Sequence, residues 1–109
     1  MKICDLQARL AAKKEPKAIR FDDTHIYTVN TSKNTFISIL GDAKEMQENA
    51  NSDPVKAFKS IDKIIEKALG KDAVKYLDGC DLAMDDYMTV INAIMAVYNG
   101  ESLEDYEKN

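Results

Sequence analysis

Three observations predict an α+β fold that is mostly helical. Between Lys17 and Asn30 the apolar residues alternate at a period of two, whereas after Thr31 they recur every three to four residues. Ile19 and Phe21 are separated from Ile26, Tyr27 and Val29 by Asp22, Asp23 and Thr24; two short apolar runs around such turn residues are the pattern of a β-hairpin, here over about Ala18 to Asn30. Downstream of the hairpin, helix start and stop residues replace strand signals. The expected order is therefore a short N-terminal helix, one hairpin, and about four helices packed on it.

The elements follow in order. Ile3 to about Lys14 can form a short amphipathic helix with Leu6 and Leu10 on one side, ended ahead of Pro16, because the residue before a proline disfavours helical geometry. Residues 1–17 are expected to be a basic, partly ordered leader, 18–100 a single hairpin-plus-helices domain, and 101–109 an acidic tail. Two strands alone are marginal in water, so one hairpin face must lie on the helices. Thr31 or Ser32 can cap the next helix, in which Phe36, Leu40, Ala43 and Met46 face the core with Ile37 and Ile39 flanking. Glu48 to Ser52 is polar and Asn-rich, which suits a loop.

Asp53 and Pro54 mark the strongest boundary, an N-cap followed by a proline whose missing N–H does no harm at the first helical position. Val55, Phe58, Ile61, Ile65 and Leu69 are expected to face the core, and Gly70 to stop the helix. A short helix from about Asp72 to Leu77 closes at Gly79. Asp81, Asp85 and Asp86 can cap the last helix, which Gly100 terminates.

That last helix carries more apolar side chains than one face needs. Met84, Tyr87, Met88, Ile91, Ile94, Met95 and Tyr98 recur at steps of three and four and form the expected core stripe. Val90, Ala93, Ala96 and Val97 fall off that stripe. A helix apolar on several sides must be covered on several sides, either by its own domain or by another chain.

At 109 residues, 45% of them apolar and 31% charged, the chain has the make-up of one folded globular domain. It holds no run of about 18 apolar residues, and charges interrupt the N-terminus where a signal peptide needs its apolar centre. A cytoplasmic location and no membrane partner are expected. Cys4 and Cys80 are far apart and lack a neighbouring Cys or His, which fits reduced thiols better than a disulfide framework. The net charge is −4, but residues 1–20 hold six basic side chains against two acidic ones, so the first twenty carry +4 and the remainder −8. This basic front lacks aromatic residues for base stacking and precedes an acidic body, so no nucleic-acid partner is expected. A basic front and an acidic tail can instead attract one another between subunits.

No catalytic, cofactor or metal residues are assigned. His25 is the single histidine and lies beside the hairpin turn, so it reads as a turn residue rather than a general base. Asp78, Asp81, Asp85 and Asp86 crowd one helix entrance but lack the glycine-punctuated ligand spacing and closing glutamate of a calcium loop. Lys56, Lys59, Lys63 and Lys67 form a stripe opposite Phe58, Ile65 and Leu69, where a solvated face belongs. Met84, Met88 and Met95 read as core filler, and Cys80 as a small apolar side chain. Phosphate loops, Cys-x-x-Cys pairs, His-Glu-x-x-His and nucleophile elbows are absent from the sequence.

Four segments together resemble a known family: the basic leader; the hairpin Ala18-Ile19-Arg20-Phe21 to Tyr27-Thr28-Val29; Ile61-Asp62-Lys63-Ile64-Ile65-Glu66-Lys67-Ala68-Leu69-Gly70; and Asp86-Tyr87-Met88-Thr89-Val90-Ile91-Asn92-Ala93-Ile94-Met95. The chain is similar in these to the small tail assembly chaperones of long-tailed phages and prophages of Gram-positive bacteria. That resemblance implies a non-catalytic protein of the bacterial cytoplasm that coats the helical tape measure protein, helps recruit tail tube subunits, and forms a homo-oligomer. From helical geometry, Val90, Ala93, Ala96 and Val97 are the expected partner-binding residues. The alternative is a small regulatory or antitoxin-like protein that binds nucleic acid or a toxin through the basic arm.

Overall fold

The computed structural model describes residues 1–12 and 16–108. Lys13 and Lys14, assigned above to the N-terminal helix and basic leader, lie outside the described residues, as do Glu15 and Asn109. The elements are α1 (Gln7–Ala12), β1 (Ala18–Arg20), β2 (Ile26–Thr28), α2 (Lys33–Asn49), α3 (Pro54–Leu69), α4 (Lys71–Gly79), α5 (Met84–Asn99) and α6 (Leu103–Lys108). The fold is α+β and mostly helical, with one antiparallel hairpin, as the two periodicities predict.

The hairpin pairs Ala18 with Thr28, Ile19 with Tyr27 and Arg20 with Ile26. Phe21 N–H donates to the His25 carbonyl at 2.9 Å, so Asp22 to Thr24 form the connection. The hairpin is tied to the helices through Asn30, whose N–H donates to the Ala68 carbonyl at 2.8 Å and whose carbonyl accepts from the Tyr98 hydroxyl. A two-stranded unit thus shares the cooperativity of α3 and α5 rather than standing alone.

The caps explain the helix starts. Ser32 Oγ accepts from Thr35 N–H at 3.2 Å, and Asp53 Oδ1 from Lys56 N–H at 3.1 Å, each filling a donor that the first helical turn leaves open. At the start of α5, Asp86 Oδ2 accepts from Ala83 N–H. Asp81 does not cap; it sits in the turn with φ 52°, a left-handed conformation that Asp tolerates. Gly70, at φ 100°, lets α3 pass directly into α4. Helix α2 continues through Glu48 and Asn49, which were expected in a loop, and Asn49 Nδ2 donates to the Glu45 carbonyl at 2.9 Å.

Helix α3 is the centre of the fold. Ala57, Ser60, Ile61, Ile64, Ile65, Ala68 and Leu69 are all buried on it, and α2, α4 and α5 all pack against it. Ile39, Leu77 and Ile94 complete the fully buried set with Ile61, Ile64 and Ile65. The buried faces of α2, α3 and α5 are each rotated from the expected stripes. Leu40 and Ile37 are exposed while Ile39 is sealed; Val55 is exposed and Phe58 half-buried while Ile64 is sealed; Met84 is exposed while Val90 is buried. At about 100° per residue the rotation is roughly 50–70°. Its physical cause is close helix packing, which draws small residues such as Ala57, Ser60 and Ala68 into the contacts and leaves long side chains at the rims.

Lys67 follows from that rotation. It was expected on a solvated stripe, but its ammonium donates to Asp42 Oδ2 at 2.5 Å and to Ser38 Oγ at 2.7 Å. Asp42 is buried and Lys67 largely exposed, so the pair bridges α2 and α3 at the margin of the core.

The two ends of the chain differ in how they meet the helices. Part of the stretch read as an acidic tail forms α6, which folds back on α5, with Asn92 Nδ2 donating to Glu107 Oε2 at 3.3 Å. At the other end every described residue of the leader is exposed and α1 buries nothing. The radius of gyration is 16.0 Å, against about 13 Å for a compact chain of this length.

Replacing Ile64, 0% exposed, with Ala is expected to cost about 2–5 kcal/mol of stability. Leu40→Ala, at a position 44% exposed, is expected to cost less than about 1 kcal/mol. Urea unfolding of both variants checks the assignment; equal losses would contradict the rotated core face.

Candidate docking surface

The rotation of α2 and α5 leaves their long apolar side chains facing one another across an open groove that α6 closes at one end. Leu40, Ala43 and Met46 of α2, Met88 and Met95 of α5, and Tyr106 of α6 line it, and it encloses about 330 Å³. Lys44, Gln47 and Asn92 are its polar margin. Ile37, one turn before Leu40, extends the apolar wall and is 55% exposed. A second hollow adjoins it between α5 and α6, bounded by Asn92, Asn99, Glu101, Tyr106 and Glu107. The groove is therefore apolar in its floor, and the hollow beside it is edged by the carboxylates of Glu101 and Glu107.

The predicted partner-binding residues divide. Val90 and Ala96 are buried inside the domain, at 7% and 2% exposure, whereas Ala93 and Val97 are half-buried. Val90 is drawn into the core by the rotation of α5. Ala96 lies between Asn92 and Asn99 on one side of that helix, the side that bounds the α6 hollow. The expected small-residue face is thus mostly consumed by the domain itself. The methionines divide as well: Met84 is exposed, whereas Met88 and Met95 are half-buried, packed against the core on one side and lining the groove on the other.

His25 belongs to a polar and aromatic cluster that fixes the hairpin to α4. Its ring stacks on Tyr76 with centroids 3.8 Å apart and planes 16° from parallel, and Phe21 and Tyr27 surround the same tyrosine. Asp22 is the hub. Its carboxylate accepts from the Tyr76 hydroxyl at 2.7 Å, from the backbone N–H groups of Thr24 and His25 at 2.8 Å each, and from the Thr24 hydroxyl at 3.1 Å. His25 Nδ1 lies 2.9 Å from the same carboxylate and, facing an acceptor-only group, carries the hydrogen between them. The Tyr76 hydroxyl, then the His25 ring and the Thr24 amide, hold the Asp22 carboxyl well below the ordinary carboxylate range. The same bond pushes Tyr76 up, because its hydroxyl donates to Asp22. The cluster is a latch.

Elsewhere, burial and then the charge of Asp78 push the Asp62 carboxyl up, and Asp62 Oδ1 is buried without a hydrogen-bond partner. Cys4 and Cys80 are free and exposed. Among the described residues, no group of three or more His, Cys, Asp or Glu is placed to hold a metal, and no helix is long and apolar enough to cross a membrane. No protein-family model, curated protein or solved structure matches this chain. What the chain can do therefore has to be argued from its own surfaces. The sequence placed Leu40, Met88 and Met95 on core stripes and the apolar surplus of α5 at Val90, Ala93, Ala96 and Val97; what it lacked was the rotation that exchanges the two faces.

The latch has a pH signature. Asp22 has a lowered folded-state pKa, so its contribution is fully present above its unfolded value, about pH 4, and diminishes as the pH falls below it towards the depressed folded value. Tyr76 is raised, so the same bond fails at the alkaline end as that hydroxyl ionises, above about pH 10. Asp22→Asn is expected to loosen the hairpin at pH 7 and to blunt its further loosening at pH 3. Amide exchange at Phe21 and Val29 measures this. Equal acid loosening in wild type and variant would assign the effect to other carboxylates.

Proposed function

We propose that this chain is a non-catalytic assembly chaperone of a long-tailed phage or prophage, acting in the bacterial cytoplasm. In this reading it binds the tape measure protein and helps recruit tail tube subunits. The observation that carries the reading is the open methionine-lined groove between α2, α5 and α6. A long helical client presents apolar residues at steps of three, four and seven, and such a stripe is buried by lying in an apolar groove. Unbranched thioethers repack cheaply, so Met88 and Met95 suit a client whose successive turns differ in sequence. Half-buried Ala93 and Val97 are secondary candidates for contact; Val90 and Ala96 can act only by supporting the helix from inside. The resemblance of the hairpin, the Ala68-Leu69-Gly70 helix end and the closing apolar helix to tail chaperones supplies the identity of the client.

Co-expression with the tape measure protein of the same phage genome is expected to keep that protein in solution and to yield a complex that survives gel filtration. Met88→Lys with Met95→Lys should weaken the complex by about tenfold or more, a loss of about 1.4 kcal/mol or more. A tape measure protein that aggregates beside folded wild-type chain would overturn the proposal. Retention on DNA or RNA that falls steeply with salt would favour the regulatory or antitoxin-like alternative instead.

A further inference from the structure

Among the described residues, nine large apolar side chains are exposed, and four of them, Met1, Ile3, Leu6 and Leu10, precede the hairpin. Leu6 and Leu10 lie one helical turn apart, joined by a bond from Leu10 N–H to the Leu6 carbonyl at 2.8 Å, and Ile3 is three residues upstream. Their exposures are 79% for Ile3, 47% for Leu6 and 61% for Leu10. A six-residue helix without packing is far too short to persist by its own propensity in water. An apolar stripe of this kind is stable only against a surface that its own domain does not offer it here.

The groove between α2, α5 and α6 offers such a surface, and its charge is complementary. The leader carries Lys2 and Arg9 around the stripe, with Asp5 its one acidic residue before Glu15. The segment 101–108, whose Tyr106 lines the groove, holds Glu101, Glu104, Asp105 and Glu107 against Lys108, and Glu101 and Glu107 bound the adjoining hollow. Lys44 is the single cation on the groove wall.

We infer that the N-terminal arm of one copy docks in the α2/α5/α6 groove of a second copy, with Leu6 and Leu10 on the methionine floor and Arg9 towards Glu101 and Glu107 at the adjoining hollow. The inference rests on the reading of that groove as a docking surface. Arm and groove are different patches of the same chain, so the contact is head-to-tail and each copy retains one free arm or one free groove. Assembly therefore grows into a ring or an open filament rather than stopping at a two-fold dimer. A client helix and a neighbour's arm compete for one groove, so the assembly keeps the apolar surface covered until the client displaces the arm.

Two non-overlapping variants of the full chain test this by light scattering and sedimentation velocity. Leu6→Asp with Leu10→Asp removes the arm, and Met88→Lys with Met95→Lys removes the groove; Leu40→Asp, at an exposed groove position, is the second groove variant if the methionine pair disturbs folding by circular dichroism. Wild type is expected to gain mass with concentration beyond a dimer. Each variant alone should associate at least about tenfold more weakly. Mixed, the arm variant and a groove variant retain one intact arm and one intact groove between them, and should form a 1:1 dimer that grows no further. A mixture that stays monomeric overturns the inference, as does wild type that stays monomeric at every concentration, which is the result if the arm binds its own groove or none. Binding of a tape measure helix is measured separately on the arm variant, whose groove is intact. Loss of client binding with complementation preserved would count against the proposed function and leave the arm exchange standing.

Discussion

Burying α3 across roughly half its circumference requires partners on three sides, and the rest of the molecule is arranged to provide them. Ser60 and Leu69 mark the edges of that buried arc, with Ala57, Ile61, Ile64, Ile65 and Ala68 between them. A single neighbouring helix covers a stripe of roughly 100°, so α2, α4 and α5 each take a sector. The hairpin is then fastened at the C-terminal end of α3, where the Ala68 carbonyl accepts from Asn30 N–H. Small residues inside the arc make this geometry possible. Enlarging Ala57 or Ala68, 3% and 2% exposed, would push apart helices packed against them.

A hairpin of three-residue strands has too little area to hold itself in place, and polar groups complete its attachment. Asn30 uses both its backbone groups, one towards α3 and one towards α5. At the far end Asp22 gathers donors from its own turn and from Tyr76 of α4. The ring stack of His25 on Tyr76 excludes water from one side of that arrangement. Much of the latch is solvent-exposed, so its strength depends on the number of directed bonds meeting at one carboxylate rather than on low dielectric. The single histidine is thereby held between Asp22 and Tyr76.

The hairpin and the helices from α2 to α5 were legible in the sequence because their signals are local, whereas α6, in a stretch read as an acidic tail, was not. A period-two run broken by Asp22-Asp23-Thr24, the Asp53-Pro54 start and the Gly70 stop each act through the backbone within a few residues. The faces were less legible, because which side of a helix is buried depends on what lies opposite. Large side chains such as Phe58, Leu40 and Met84 dominate a periodicity count, yet Ala57, Ser60 and Ala68 decide how closely the axes approach. The same rotation brought Lys67 from the expected solvated stripe to Asp42, a pair 25 positions apart with no local signature. It also moved Val90 inside and Met88 and Met95 to the rim. The candidate site was therefore visible as a surplus of apolar residues on α5, but its position was set by long-range packing.

That surplus has consequences at both ends of the chain. A protein of about 110 residues buries only about two thirds of the surface its unfolded chain exposes, so a helix with apolar residues on several sides strains the supply of cover. The fold answers on one side with α3 and on another with α6, a helix rich in carboxylates laid against the apolar α5. The cover stops at Tyr106, leaving Leu40 exposed and Met88 and Met95 half-buried along the groove. The uncovered stripe of the leader is the converse defect, apolar side chains with no groove. Two incomplete surfaces of opposite charge in one chain are consistent with completion between copies, since each satisfies the other without enlarging the domain. An oligomer built this way would hold its apolar area in reserve, and its stability would fall wherever a client supplies a longer stripe than Ile3, Leu6 and Leu10 can.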